Sequence, residues 1–212
     1  MGKELYHSPS IDQSVGLLNI IGKSKLEELR ARFPNHKEIL EIGQIAGPED
    51  ISIDELTARY ELTKTTLETT LSETKEYLIP KLRKKLKKLR TIELWSQIII
   101  LISSCSIFVL LNQNFEGSER NPFPYIAAGL STLGALFTIF IKKDSGEWAM
   151  NNRNVANSFD SIITNRIRAE EILREITVLS KFMKDNVDKL TSMIERANTL
   201  NAEMIDVIEK YY

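Results

Sequence analysis

The sequence predicts an all-α chain organised around an integral-membrane two-helix hairpin, with an N-terminal helical domain before it and a long C-terminal heptad helix after it. Three observations carry this expectation. Residues 94–111, LWSQIIILISSCSIFVLL, and 125–141, YIAAGLSTLGALFTIFI, are apolar runs without a charged residue. Residues 81–90, KLRKKLKKLR, set seven basic side chains in ten directly before the first run. Beyond Gly146 the chain has no further glycine or proline, and apolar residues recur every 3.5 residues from Ile172 to Tyr211.

Each run approaches the ~20 residues that cross a ~30 Å hydrocarbon layer at 1.5 Å per residue. Helices in the core of a soluble domain usually keep a polar face, and these runs have none. The linker, residues 112–124, contains Gly117, Pro122 and Pro124 and is too short to return across a membrane, so the two helices are expected to be antiparallel neighbours. Basic residues lie outside both ends, in 81–90 and at Lys142 and Lys143, whereas the linker sets Arg120 against Glu116 and Glu119. The positive-inside rule then places both termini in the cytoplasm of a multi-pass protein of the inner (plasma) membrane, with Trp95, Phe123 and Tyr125 at its interfaces. The expected divisions are 1–79, a cytoplasmic helical domain; 80–143, a basic juxtamembrane helix and the hairpin; and 144–212, a cytoplasmic helix.

Charge and composition exclude more than they identify. The 28 Lys and Arg nearly balance the 29 Asp and Glu, which hides the basic concentration beside the first run. Cys105 is the one cysteine, and His7 and His36 are far apart, so neither an intrachain disulfide nor a zinc site is expected. The N-terminus, MGKELYHSPS, lacks the apolar centre of a secretory signal. Tyr6 stands where a myristoylation motif needs Ser or Thr. There is no glycine-rich phosphate loop, no Gly-x-Ser-x-Gly, no Cys–His pairing and no paired carboxylates in the apolar runs. No catalytic residue, metal or cofactor is assigned, and the chain reads as a non-enzyme.

Along the chain, a short helix is expected around 15–21. Ser24 can cap the following KLEELRARF, with Glu27 completing a capping box, and Pro34 ends it. Residues 36–46 suit a short amphipathic helix, and Gly47 and Pro48 a turn. Residues 56–71, LTARYELTKTTLETTL, resemble a helix-turn-helix with its turn at 60–62 and Thr63 as the second cap. That second helix offers only Lys64 beside Glu68, a poor phosphate surface, so nucleic acid is not an expected partner. Pro80 fits a first helical turn. From there one helix can run through 81–90 into the first apolar run, with Leu82, Leu86 and Leu89 on one face. Lys81, Arg83, Lys84, Lys85, Lys87, Lys88 and Arg90 cover the rest and suit anionic lipid headgroups, at up to ~1 kcal/mol each.

In the C-terminal segment the 4,3 spacing from Ile172 passes through Ile176, Leu179, Met183, Asn186 and Leu190. These five are the candidate seam of a homo-oligomer, with Asn186 as its polar register point. Leu173, Val187, Ile194 and Ile208 widen the stripe, which favours a bundle over a two-stranded coil. A straight helix and a folded-back hairpin both fit. Within the apolar runs, Ala127, Ser131 and Ala135 form a small-xxx-small packing pattern. Gln97, Ser103, Ser104 and Ser106 either pack inside one hairpin or line a pore formed by several.

The basic lead-in KLRKKLKKLR, the hairpin, and the exit IKKDSGEWAMNNRNVANSFDSI together resemble the SLATT family, two-transmembrane effector domains of bacterial anti-phage systems. The resemblance covers about residues 75–180 and lies in layout. It implies a pore-forming or membrane-disrupting effector in antiviral defence by abortive infection, held inactive until an upstream sensor protein signals. The residues alone also allow a membrane-anchored scaffold or signalling adaptor, or a tethered helix-turn-helix regulator.

Overall fold

Helix dominates because glycine and proline are few and several of them fall at junctions, such as Gly22 between the first two helices and Pro34 after the second. The computed structural model describes residues 6–41, 50–112, 126, 129–130, 132–135 and 150–211; side-chain surroundings are described for 8–41, 52–102, 155–211 and the same positions between 126 and 135. The helices are α1 (Asp12–Ile21), α2 (Lys23–Arg32), α3 (Ile53–Glu73), α4 (Ile79–Asn112), α5 (Met150–Leu179) and α6 (Val187–Tyr211). A two-residue antiparallel ladder pairs β1 (Tyr6–His7) with β2 (Asp50–Ile51), Tyr6 opposite Ile51. The chain divides into two units, one formed by 1–80 with 160–212 and the other by 81–159.

The first unit is a helical bundle built from two stretches far apart in sequence. α1 packs on α6, α3 and α2, and α3 also packs on α6. Val15, Leu18, Leu56, Leu62, Ile176 and Leu190 are among its buried core. Gly22 separates α1 from α2, and α2 begins at Lys23 without a side-chain cap. The expected capping box at Ser24 is thus corrected: Glu27 instead pairs with Arg30 at 2.6 Å. Arg30 also donates from Nε and Nη2 to the Leu40 carbonyl, holding the 3-10 turn Glu38–Leu40 against α2. That turn replaces the start of the helix expected over 36–46; the rest of it lies outside the described residues.

The helix-turn-helix expectation is overturned by α3, which runs unbroken through 60–62. Nothing in Tyr60, Glu61 or Leu62 breaks a helix. Thr63 does not cap a new one but donates its hydroxyl to the Arg59 carbonyl at 2.9 Å. Thr66, Thr69, Thr70 and Thr74 repeat this i−4 bond, which satisfies their hydroxyls inside the bundle; Thr66 also reaches the Ser14 carbonyl and Thr69 accepts from Lys25 Nζ. The helix starts where Ser52 accepts the Glu55 amide at 3.2 Å, with Asp54 and Glu55 facing the positive helix end. After α3 comes a π-helical turn, Thr74–Leu78. It sits where Pro80 withholds the amide that would bond the carbonyl four residues back.

The C-terminal segment is a hairpin rather than one straight helix. Helical geometry breaks at Phe182 (φ −127°, ψ 46°), and Asn186 ends the 3-10 turn Ser180–Asp185. α5 and α6 then run antiparallel, in a register marked by Arg168 with Glu203 (3.5 Å) and Glu175 with Arg196 (4.0 Å). The heptad stripe faces the bundle core of its own chain.

The fold-class expectation is corrected at its centre. Among the described residues no helix is long and apolar enough to cross a membrane. The apolar part of α4 with described side chains is 94–102, ~14 Å at 1.5 Å per residue and under half of a ~30 Å hydrocarbon layer. The side chains of 103–111 and most of 125–141 lie outside the description. The integral-membrane hairpin is therefore not supported. The multi-pass inner-membrane location with both termini cytoplasmic falls with it, because the orientation argument requires spans.

Candidate functional site

α4 gathers charge and apolar surface along a single helix. Its leucine stripe turns inward: Leu82 is buried, and Leu86 and Leu89 are half-buried. Since 82, 86 and 89 fall on one face at 3.6 residues per turn, the remaining positions face outward. All seven cations, Lys81, Arg83, Lys84, Lys85, Lys87, Lys88 and Arg90, are exposed. One turn further on, Leu94 and Trp95 are 53% and 59% exposed, and two turns beyond them Leu101 and Ile102 are 65% and 58% exposed.

The second unit pairs α4 with helical residues between 126 and 135. Contact is made at Gly134, which is buried. A Cβ there would lie 2.9 Å from Ile100 Cγ1 and 3.2 Å from Ile99 Cγ2, so the close approach depends on glycine. Ile126, Leu130 and Leu133 remain exposed at i, i+4 and i+7. Ser96 is 2% exposed and donates to the Ile92 carbonyl at 3.0 Å, satisfied within its own helix. Among the described residues of this unit, the exposed side chains at 94, 95, 101, 102, 126, 130 and 133 are apolar and follow the cations of α4; apolar patches with polar rims mark interaction surfaces.

The expected site residues are distributed differently. Gln97 is exposed on α4, while Ser103, Ser104 and Ser106 are helical with side chains outside the description. Ala127 and Ser131 lie outside the described residues, and Ala135 is exposed; Gly134 makes the helix contact instead. Of the expected oligomer seam, Ile176 and Leu190 are buried in the bundle core, and Leu179 and Met183 pack against it. Asn186 donates from Nδ2 to the Phe182 carbonyl at 3.1 Å. These five residues are engaged within one chain, not held out for a second.

A buried polar cluster was not foreseen. Asn198 Oδ1 accepts the Ser14 amide at 3.0 Å, and Asn201 Nδ2 donates to Ser14 Oγ at 2.9 Å. Asn198 Nδ2 donates to Asp12 Oδ1 at 2.9 Å, and Ser10 Oγ donates to the same oxygen at 2.7 Å. Burial pushes the Asp12 carboxyl up, but the hydrogen bonds from Asn198, Ser10 and Gln13 together outweigh it and hold the group below its usual range. Two asparagines three residues apart inside an apolar stripe were the available signal. Arg59, 2% exposed, is a second such feature: Nη1 donates to the Pro9 carbonyl at 2.6 Å and Nη2 to Glu55 Oε1 at 2.8 Å.

Among the described residues no three His, Cys, Asp or Glu side chains are placed to hold a metal ion. Fold and site together define a helical bundle and, in a second unit, a basic helix with exposed apolar side chains. Comparison with protein families, curated proteins and solved structures found no match for this chain.

Proposed function

We propose that the protein is a non-enzymatic effector that binds the surface of anionic lipid bilayers through α4 and perturbs them, while the bundle receives a signal from an upstream sensor protein. One observation carries the reading: seven exposed cations on α4 are followed within a turn by exposed Leu94 and Trp95. Cations near an anionic surface contribute ~1 kcal/mol each, and indole and leucine side chains favour the boundary between headgroup and acyl chain. A nucleic acid would engage the cations yet leave Leu94, Leu101 and Ile102 uncovered.

The test is flotation of the intact chain with vesicles of mixed phosphatidylglycerol and phosphatidylcholine, or of phosphatidylcholine alone, each loaded with a self-quenched dye. Binding and dye release are expected with the anionic vesicles, weakening as salt rises. Replacing Arg83, Lys84, Lys87 and Lys88 with Gln should remove most of the anionic preference. Equal binding to neutral vesicles would refute the role of the cations. Binding without dye release would leave an anchored adaptor in place of an effector.

A further inference from the structure

The segment that leads into α1 lies over the bundle as a strap, residues 6–10. Tyr6 and His7 pair with Ile51 and Asp50, Ser8 and Pro9 are buried, and Ser10 is exposed. The fastenings of this strap are light. A ladder two residues long adds little by itself. The Pro9 carbonyl accepts from Arg59 Nη1 at 2.6 Å. The Ser10 hydroxyl accepts from Asn198 Nδ2 at 3.2 Å and donates to the neighbouring Asp12 at 2.7 Å.

Each helix side chain that grips the strap keeps a partner without it. Arg59 retains Glu55, reached from Nη2 at 2.8 Å and from Nε at 3.3 Å. Asn198 retains the Ser14 amide on Oδ1 and Asp12 on Nδ2. Lifting the strap therefore leaves neither Arg59 nor Asn198 stranded. The strap itself is not fully satisfied where it lies: Ser8 Oγ is buried without a hydrogen-bond partner among the described residues. Burying that hydroxyl unpaired costs free energy that opening returns. A lightly held segment over groups that stay paired can leave as a local unit while the helices remain folded.

The strap also shows what the place beneath it accepts. An extended backbone adds to β2, sets one carbonyl on the Arg59 guanidinium, and presents a hydroxyl to Asn198. The first two contacts read main chain, which any extended segment offers. We infer that the strap is an internal stand-in for a partner. The strip formed by β2, Arg59 and Asn198 is a docking site for an extended segment of another protein. That segment sets a carbonyl on Arg59 and carries a Ser or Thr directly after it, and its docking displaces residues 6–10. The inference goes beyond the lipid surface on α4 and stands or falls without it.

The test uses the full chain and a fluorescein-labelled peptide of residues 1–11, with binding read by anisotropy. A chain carrying Tyr6→Pro, His7→Pro and Ser10→Ala loosens its own strap, since proline cannot donate to the ladder, and leaves β2, Arg59 and Asn198 intact. It should keep wild-type helicity and a similar urea midpoint, and bind the peptide saturably. The wild-type chain should bind at least about tenfold more weakly, because its own strap competes at high effective concentration. The peptide with Ser10→Ala should bind several-fold more weakly, and the peptide with Tyr6→Pro and His7→Pro not at all. Adding Arg59→Gln to the loosened chain should abolish binding; if that variant does not fold, the two peptide variants carry the comparison. Unfolding of the loosened chain overturns the inference, because the strap is then a structural part of the bundle. A folded, loosened chain that ignores the peptide also overturns it. So does equal binding by the wild-type chain, or binding that survives Arg59→Gln or either peptide variant, since each places the peptide elsewhere.

Discussion

The backbone amide of Ser14 donates to the Asn198 side-chain oxygen at 3.0 Å inside the bundle, across 184 residues of sequence. This one bond fixes how far α6 slides along α1, because neither Ala197 nor Thr199 beside it offers that amide a side-chain acceptor of the same reach. The Asn198 amide nitrogen, bonded to Asp12 Oδ1 and Ser10 Oγ, orients the side chain so that its oxygen faces Ser14. Asn198→Ala should therefore strand a buried donor and lower unfolding stability by about 1–3 kcal/mol. Thr199→Ala, one position along on the exposed side, should change it little. Urea unfolding of the two variants is the comparison.

Asp12 adds a pH dependence of defined sign. Its carboxyl is held below the usual range in the folded chain by Asn198, Ser10 and Gln13, against the opposing effect of burial. A carboxylate so depressed contributes stability at pH above its unfolded value of ~3.9, and that contribution is lost as pH falls through the lower folded value. Unfolding followed by urea between pH 6 and strongly acidic conditions should show a slope that Asp12→Asn makes shallower. An identical slope in the variant would show that Asp12 is not the group responsible.

The Arg59–Glu55 pair should be the costliest ion pair to break. The two side chains are 3% and 14% exposed and meet at 2.8 Å. Glu55→Ala leaves a buried guanidinium with only the Pro9 carbonyl as partner, and the expected loss is about 3 kcal/mol. Arg32→Ala breaks the bridge to Glu61, where Arg32 is 62% exposed, and should cost about 0–1 kcal/mol. Thermal or chemical unfolding of the two variants reads the difference.

Two glycines in the same helical stretch should respond oppositely. A methyl group added at Gly129 would meet nothing within 4 Å, so Gly129→Ala should gain up to about 1 kcal/mol of helix propensity. At Gly134 the new methyl would crowd Ile100 at 2.9 Å, and Gly134→Ala should be destabilising. Opposite shifts in thermal midpoint, measured under one set of conditions, check the helix contact directly.

Much of the bundle was legible from residue pattern. The 4,3 spacing from Ile172 to Tyr211 identified the face that is buried, because an amphipathic stripe reports burial whatever lies opposite it. It did not identify the partner: α1 and α3 take the place assigned to a second copy. The turn at Ser180–Asp185 carried no glycine or proline to announce it. The threonines of α3 looked like caps because Ser and Thr favour helix starts, but in a helix with no breaker they bond back to i−4 carbonyls instead. The basic helix and its inward leucines were readable because both depend only on periodicity. The membrane-crossing reading rested on apolar run length, and the apolar stretch of α4 with described side chains, 94–102, is too short to support it. Gly134 was passed over for Ala135 because the spacing rule counts small residues without showing which one faces the neighbouring helix.

The bundle is assembled from 1–80 and 160–212, with 81–159 between them. During synthesis, α1 to α3 and the apolar faces of α4 leave the ribosome before α6 exists. Val15, Leu18 and Leu62 have no complete core to enter until α6 has been made. Folding of this unit is therefore a late event in translation. A product truncated before α6 would leave Val15, Leu18 and Leu62, buried in the complete chain, without the helix that completes their core, so new apolar surface marks a bundle that cannot close.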